Sequence, residues 1–247
     1  MAIDLNKFKK KVEKRLPILF LVEENSESGT YAQFVDGILN ACLGKNIHSE
    51  FMLFSYGLEW TLRYPKLNNN TPHFANLESV DFNDIRQIVN NIPRSRQTFL
   101  GSALELSKAI LDDPDTTKSD RYKPVVIIIA SRIPAQGWEK RFENLLNNGR
   151  SSNAQVYWVN NRYTDVVDPK TRCTEKKESE NPVKCFENVI FKKIDYGLTM
   201  EVANEIVSSF KLVPFDDVPV EDPVEFTTPG FDGDFGDGAD AKGDGVV

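Results

Sequence analysis

Apolar and polar positions along the chain fall into short blocks that switch between two periods. "LPILFLV" (16–22) is continuously apolar, the pattern of a strand covered on both faces. "TYAQFVDGILNACLG" (30–44) repeats at helical spacing, with Phe34, Ile38 and Cys42 on one face and Gly44 able to close it. "SEFMLFSYG" and "LEWTLRYPKL" predict two strands joined as a hairpin near Gly57, followed by a loop over 66–80. "DFNDIRQIVNNIP" predicts a short helix ended before Pro93. "TFLGSALELSKAILDD" (98–113) predicts a longer one, with Leu100, Leu104, Ser107 and Leu111 on one face. Then follow strand 123–131, helix 138–149, strand 154–161, a polar insertion over 162–187, strand 187–196 and helix 199–213, which Thr199 can cap. Strands alternating with helices imply an α/β fold. It is Rossmann-like, with a mostly parallel central sheet, one antiparallel edge strand and helices on both faces. Ligands of such sheets sit at the carboxyl ends of the strands, here around residues 23–28 and 131–136.

The two ends differ from this body. "DLNKFKKKVEKR" (4–15) carries six bases and two acids with Leu5, Phe8 and Val12 at helical spacing, so 1–15 is expected to be a basic helix. The body is expected to span 16–213. Residues 214–247 are rich in Pro, Gly and Asp, lack either period and are expected to be disordered. The chain's net charge of −7 conceals this division. From Asp216 onward there are ten acids and one lysine, while the rest holds 29 bases and 27 acids. A near-neutral body with an acidic tail argues against a nucleic-acid footprint. No apolar run reaches the ~18 residues of a membrane span. Three cysteines, Cys42, Cys173 and Cys185, show no metal-ligand spacing and point to a reducing, cytoplasmic setting.

Three segments together carry a resemblance. "PILFLVEENSESG" is similar to the opening strand and loop of von Willebrand factor A domains, where an apolar strand ends in Asp-x-Ser-x-Ser. "RQTFLGSALELSKAIL" resembles that family's second loop and helix, and "YKPVVIIIASRIPAQGW" its fourth strand, as found in the bacterial tellurite-resistance-associated branch. The resemblance implies a metal-ion-dependent adhesion site, in which Ser and Thr hydroxyls ligate Mg²⁺, Asp carboxylates support them and a partner carboxylate completes the shell. Counting back from the serines, Glu24, Ser26 and Ser28 take the motif. Counting forward from Pro17, Glu23 takes the Asp position and leaves Asn25 and Glu27 where serines belong. In both counts Glu replaces Asp. Thr98 matches, Ser131 stands where the second Asp belongs, and Arg132 follows it, with Arg94 and Arg96 expected on the same rim.

These departures predict a degenerate ion site on a non-enzymatic scaffold with a protein partner, in a bacterial stress or defence setting. The expected cofactor is none, or weakly bound Mg²⁺ held by Ser26, Ser28 and Thr98. The alternatives are a Mg²⁺-dependent adhesion module that adds Glu24 to those ligands, and a serine hydrolase. The hydrolase would need a His on the same rim, where neither His48 nor His73 is expected. The acidic tail, with Phe215, Phe226, Phe231 and Phe235 among its carboxylates, is expected either to cover the basic rim or to serve as the partner's handle.

Overall fold

A computed structural model describes residues 13–25, 27–67, 72–131, 133–135, 137–168 and 171–215. The chain divides into two units at Asp217/Val218, and every described residue belongs to the first. Ser26, Arg132, residues 1–12 of the expected basic helix and residues 216–247 of the acidic tail lie outside the description. Its last described residues extend the body past 213. Pro214 bridges to Tyr122, and Phe215 is buried beneath the Arg150 guanidinium. At the other end Glu13 to Arg15 are not helical, and Arg15 bridges to Arg121.

The central sheet is built from β1 (Leu16–Glu23), β2 (Ser49–Tyr56), β3 (Trp60–Tyr64), β4 (Ala75–Asn76), β5 (Val125–Ala130), β6 (Gln155–Asn161) and β9 (Val189–Ile194). Its order is β3-β2-β1-β5-β6-β9, and all pairs from β2 to β9 are parallel. β3 closes the edge antiparallel to β2, as the hairpin pattern predicts, and the two-residue β4 pairs antiparallel with the start of β2.

The period-2 alternation of β1 explains the layers. Leu16, Ile18, Phe20 and Val22 face one core with α1 (Ser28–Gly44), α2 (Phe82–Asn90) and α5 (Thr199–Ser208). Leu19 and Leu21 face the other with α3 (Leu100–Asp112) and α4 (Trp138–Asn147). Every residue of β1, β2 and β5 is buried, which accounts for the apolar runs of β1 and β5 and of the centre of β2.

Three local expectations are refined. Gly44 is the last residue of α1, as expected, but does not turn the chain. Asn46 does, at φ 54°, a conformation Asn tolerates because its short polar side chain can bond locally. Thr199 does not cap α5 but is its first residue, with its hydroxyl toward Gln33 at 3.4 Å. The polar stretch 162–187 carries a hairpin of its own. β7 (Tyr163–Val167) and β8 (Thr174–Glu178) pair as a separate hairpin. Beyond it Val183 is buried, and Phe186 joins the aromatic cluster of Trp138, Phe142 and Trp158.

Candidate functional site

β1 delivers its last residue, Glu23, to the carboxyl end of the sheet with the parity of Leu19 and Leu21. The side chain therefore turns toward the start of α3 and the end of β5. It is 1% exposed. Oε1 accepts a hydrogen bond from Thr98 Oγ1 at 3.1 Å. Oε2 accepts from Ser131 N–H at 2.5 Å, Ser131 Oγ at 2.8 Å and Asn25 Nδ2 at 2.9 Å. A buried carboxylate needs such donors, because burial without them costs several kcal/mol.

Asn25 is fixed from the other end. Its Oδ1 accepts the Glu27 N–H at 2.7 Å, an Asx turn that leads into α1. This bond assigns the amide orientation, so Nδ2 faces inward. Nδ2 lies 2.9 Å from Glu23 Oε2, 2.7 Å from the Tyr31 hydroxyl and 3.0 Å from Ser131 Oγ. An amide has two N–H groups, so two protons serve three oxygens. Tyr31, in the first turn of α1, is fully buried. Burial, with the Glu23 charge beside it, holds its phenol well above the ordinary range against the hydrogen bonds of Asn25 and Ser131.

Glu24 has the opposite parity and leaves this network. It accepts from Ser55 Oγ at 2.8 Å and pairs with Arg63 at 3.0 Å, while its carbonyl accepts the Ser95 N–H. A Cβ on Gly57 would stand 2.2 Å from Glu24 Oε2, so the hairpin turn must be glycine while that carboxylate keeps its position. Ser28 begins α1 and is half-buried, outside the network. Of the residues the sequence marks, the fold thus assembles Glu23, Thr98 and Ser131, in agreement with the count forward from Pro17. It adds Asn25 from that same count, and Tyr31, which the sequence pattern marks only as a helical position.

Among the described residues this donor set does not fit a divalent ion. A hard cation needs converging oxygens. Here an amide nitrogen, which has no lone pair to give, stands among three of them, and the longer Glu arm binds the hydroxyls directly. Among the described residues no group of three or more His, Cys, Asp or Glu is arranged to hold a metal.

Beside the network lies a cleft of about 440 Å³, bounded by the ends of β1, β5, β6 and β9 and by the β7–β8 hairpin. On the other side three loops are tied together, Phe99 N–H to the Gly57 carbonyl and Ala135 N–H to the Thr98 carbonyl. They carry Leu58, Phe99 and Ile133, all exposed. His48 sits at the opposite end of the sheet, paired with Glu13 and Glu78, and its carbonyl accepts the Leu16 N–H.

No protein-family model matches the sequence, and neither does any curated protein. Solved structures do match in fold. A von Willebrand factor type A protein from Catenulispora acidiphila superposes with a TM-score of 0.54 at 10% identity, over 79% of this chain and 42% of that one. An aerotolerance-related membrane protein from Bacteroides fragilis superposes with a TM-score of 0.52 at 9% identity, over 79% of this chain and all of the other. Proximal thread matrix protein 1 from the mussel byssus gives 0.50 at 13%, over 79% and 47%. The chain thus spans less than half the length of two of the three. At these identities the likeness concerns the fold, and the fold is that of a von Willebrand factor A-like domain.

Proposed function

We propose that the chain is a non-catalytic protein-interaction module that engages its partner through the carboxyl-end face of the sheet and needs no ion to do so. The observation that carries this reading is Asn25 Nδ2 standing 2.7–3.0 Å from three oxygens. The family that the sequence resembles holds a divalent ion at this end of the sheet. Here a fixed amide and a carboxylate with four hydrogen bonds satisfy the same oxygens. Leu58, Phe99 and Ile133, exposed on three loops tied by backbone hydrogen bonds, support the choice of face, because exposed apolar side chains on neighbouring loops suit an interaction surface. A Mg²⁺-bound form with Glu24 as ligand gains no support, since Glu24 is held by Ser55 and Arg63.

A hydrolytic reading gains no support either. Ser131 Oγ donates to a carboxylate, and no His is among the residues lining the cleft. The resemblance suggests a bacterial cytoplasmic scaffold of the stress or defence type. The three free cysteines fit a reducing compartment, and no helix among the described residues is long and apolar enough to cross a membrane.

The test is capture of binding proteins by the full chain, with and without EDTA, alongside a Leu58→Glu/Ile133→Glu variant. Capture that resists EDTA and is lost in the variant is expected. Capture lost in EDTA, or unchanged in the variant, overturns the reading.

A further inference from the structure

The cleft beside the network has a chemistry of its own. Its wall is formed by the β7–β8 hairpin, which stands apart from the central sheet. Three cations reach it from three separate segments: Arg94 from the loop before α3, Arg162 from the end of β6 and Lys176 from β8. Arg94 and Lys176 are exposed and make no ion pair among the described residues. Arg162 is held only loosely, 3.8 Å from Asp195 and 4.0 Å from Glu178. The acids that share the lining are Glu27 and Asp195.

Two exposed tyrosines, Tyr163 and Tyr196, add flat apolar surface, and the Arg162 guanidinium lies over the Tyr163 ring. At the end of β6 Asn161 also lines the cleft. It is 7% exposed, and its Oδ1 finds no hydrogen-bond partner among the described residues.

We infer that this cleft receives an extended acidic segment of a partner protein that carries an aromatic side chain. The carboxylates lie among Arg94, Arg162 and Lys176, and the aromatic ring stacks on Tyr163 and Tyr196. The inference rests on the reading of the strand-end face as an interaction surface and names the partner's chemistry there. Attraction here comes from side chains, without a bridging ion. It therefore weakens with salt, because at ~0.15 M the screening length is about 8 Å.

The experiment is fluorescence anisotropy on the full chain. The probe is a labelled peptide of alternating Asp and Glu with one central Phe. Its controls are the Asn/Gln counterpart and a labelled single-stranded oligonucleotide of equal charge. An Arg94→Glu/Lys176→Glu variant is measured beside the parent; both positions are exposed, and circular dichroism checks its fold. The expected result is saturable binding of the acidic peptide that falls tenfold or more in the variant and with added salt, and none for the neutral counterpart. Absence of binding, binding unchanged in the variant, or an oligonucleotide bound as tightly as the peptide overturns the inference. The outcome is separable from that of the broader reading. If the peptide fails while Leu58→Glu/Ile133→Glu still loses partner capture, the face stands and the acidic partner does not.

Discussion

Replacing Glu23 by Gln keeps the shape of the side chain and removes its charge and half its accepting capacity. Among the described residues the carboxylate takes four hydrogen bonds, from Thr98 Oγ1, Ser131 N–H, Ser131 Oγ and Asn25 Nδ2. In the variant one terminal atom becomes an NH₂ that can only donate. If it replaces Oε2, the Ser131 hydroxyl can rotate to accept, but the Ser131 N–H and the Asn25 amide face a donor, and the backbone N–H cannot turn away. If it replaces Oε1, the Thr98 hydroxyl can rotate and accept instead, but the charge assistance of every bond is still lost. A hydrogen bond to a charged group contributes about 1.5–3 kcal/mol and a neutral one about 0.5–1.5. At about 1–1.5 kcal/mol of charge assistance per bond the four sum to ~4–6 kcal/mol; the lower cost of burying a neutral amide offsets part of this, giving an expected loss of ~2–4 kcal/mol. The assay is urea unfolding followed by far-ultraviolet circular dichroism, comparing midpoints at unchanged slope. A loss below ~0.5 kcal/mol, the usual scatter for a surface substitution, would refute the claim that this carboxylate anchors the strand ends.

Three further outcomes are expected. Asn25→Asp places a second carboxylate against Glu23, so the variant is destabilised in EDTA and regains stability with Mg²⁺ or Mn²⁺, whereas the parent melts at the same temperature in both; a metal-induced rise in the parent contradicts this. Glu50 is 4% exposed, and burial raises its carboxyl above the ordinary range despite Arg121 beside it. The folded state therefore holds this proton more tightly than the unfolded one, so stability present below the ordinary carboxylate pKa is lost as pH rises through the raised value. Glu50→Gln should accordingly gain on the parent in urea midpoint as pH rises from about 4 to 7, and a pH-independent difference refutes this. Burial pushes the Cys42 thiol up to about 11, so a disulfide reagent at neutral pH should modify Cys173 and Cys185 rapidly and Cys42 only on unfolding; three equal rates would show that the α1 face is open.

Much of the sheet is legible in the sequence because its signals are local. β1 up to Val22, β5 and the centre of β2 (Phe51 to Phe54) are apolar runs that the chain buries on both faces. The helices of both layers announce themselves by spacing, and so does the β2–β3 hairpin. The β7–β8 hairpin is invisible because both strands are short and β8 is charged. "TEKKE" is exposed throughout, and its pairing with β7 supplies the order that composition does not. The register at the site turns on one residue. Two counts of "EENSES" differ by one position, and adjacent positions of a strand point to opposite faces. Glu23 is chosen because it shares the parity of Leu21, and Glu24 is chosen for Arg63 by the same rule. Tyr31 escapes notice because a tyrosine on the buried face of a helix reads as core. Only the fold brings its hydroxyl to Asn25.

The central claim is that an amide hydrogen bond, and no ion, organises the carboxyl-end face. Calorimetric titration of Mg²⁺ and Mn²⁺ into the full chain tests it most directly. With Asn25 Nδ2 among the oxygens, no saturable heat is expected into the millimolar range. A one-to-one isotherm of sub-millimolar affinity that disappears in Thr98→Ala would contradict the account.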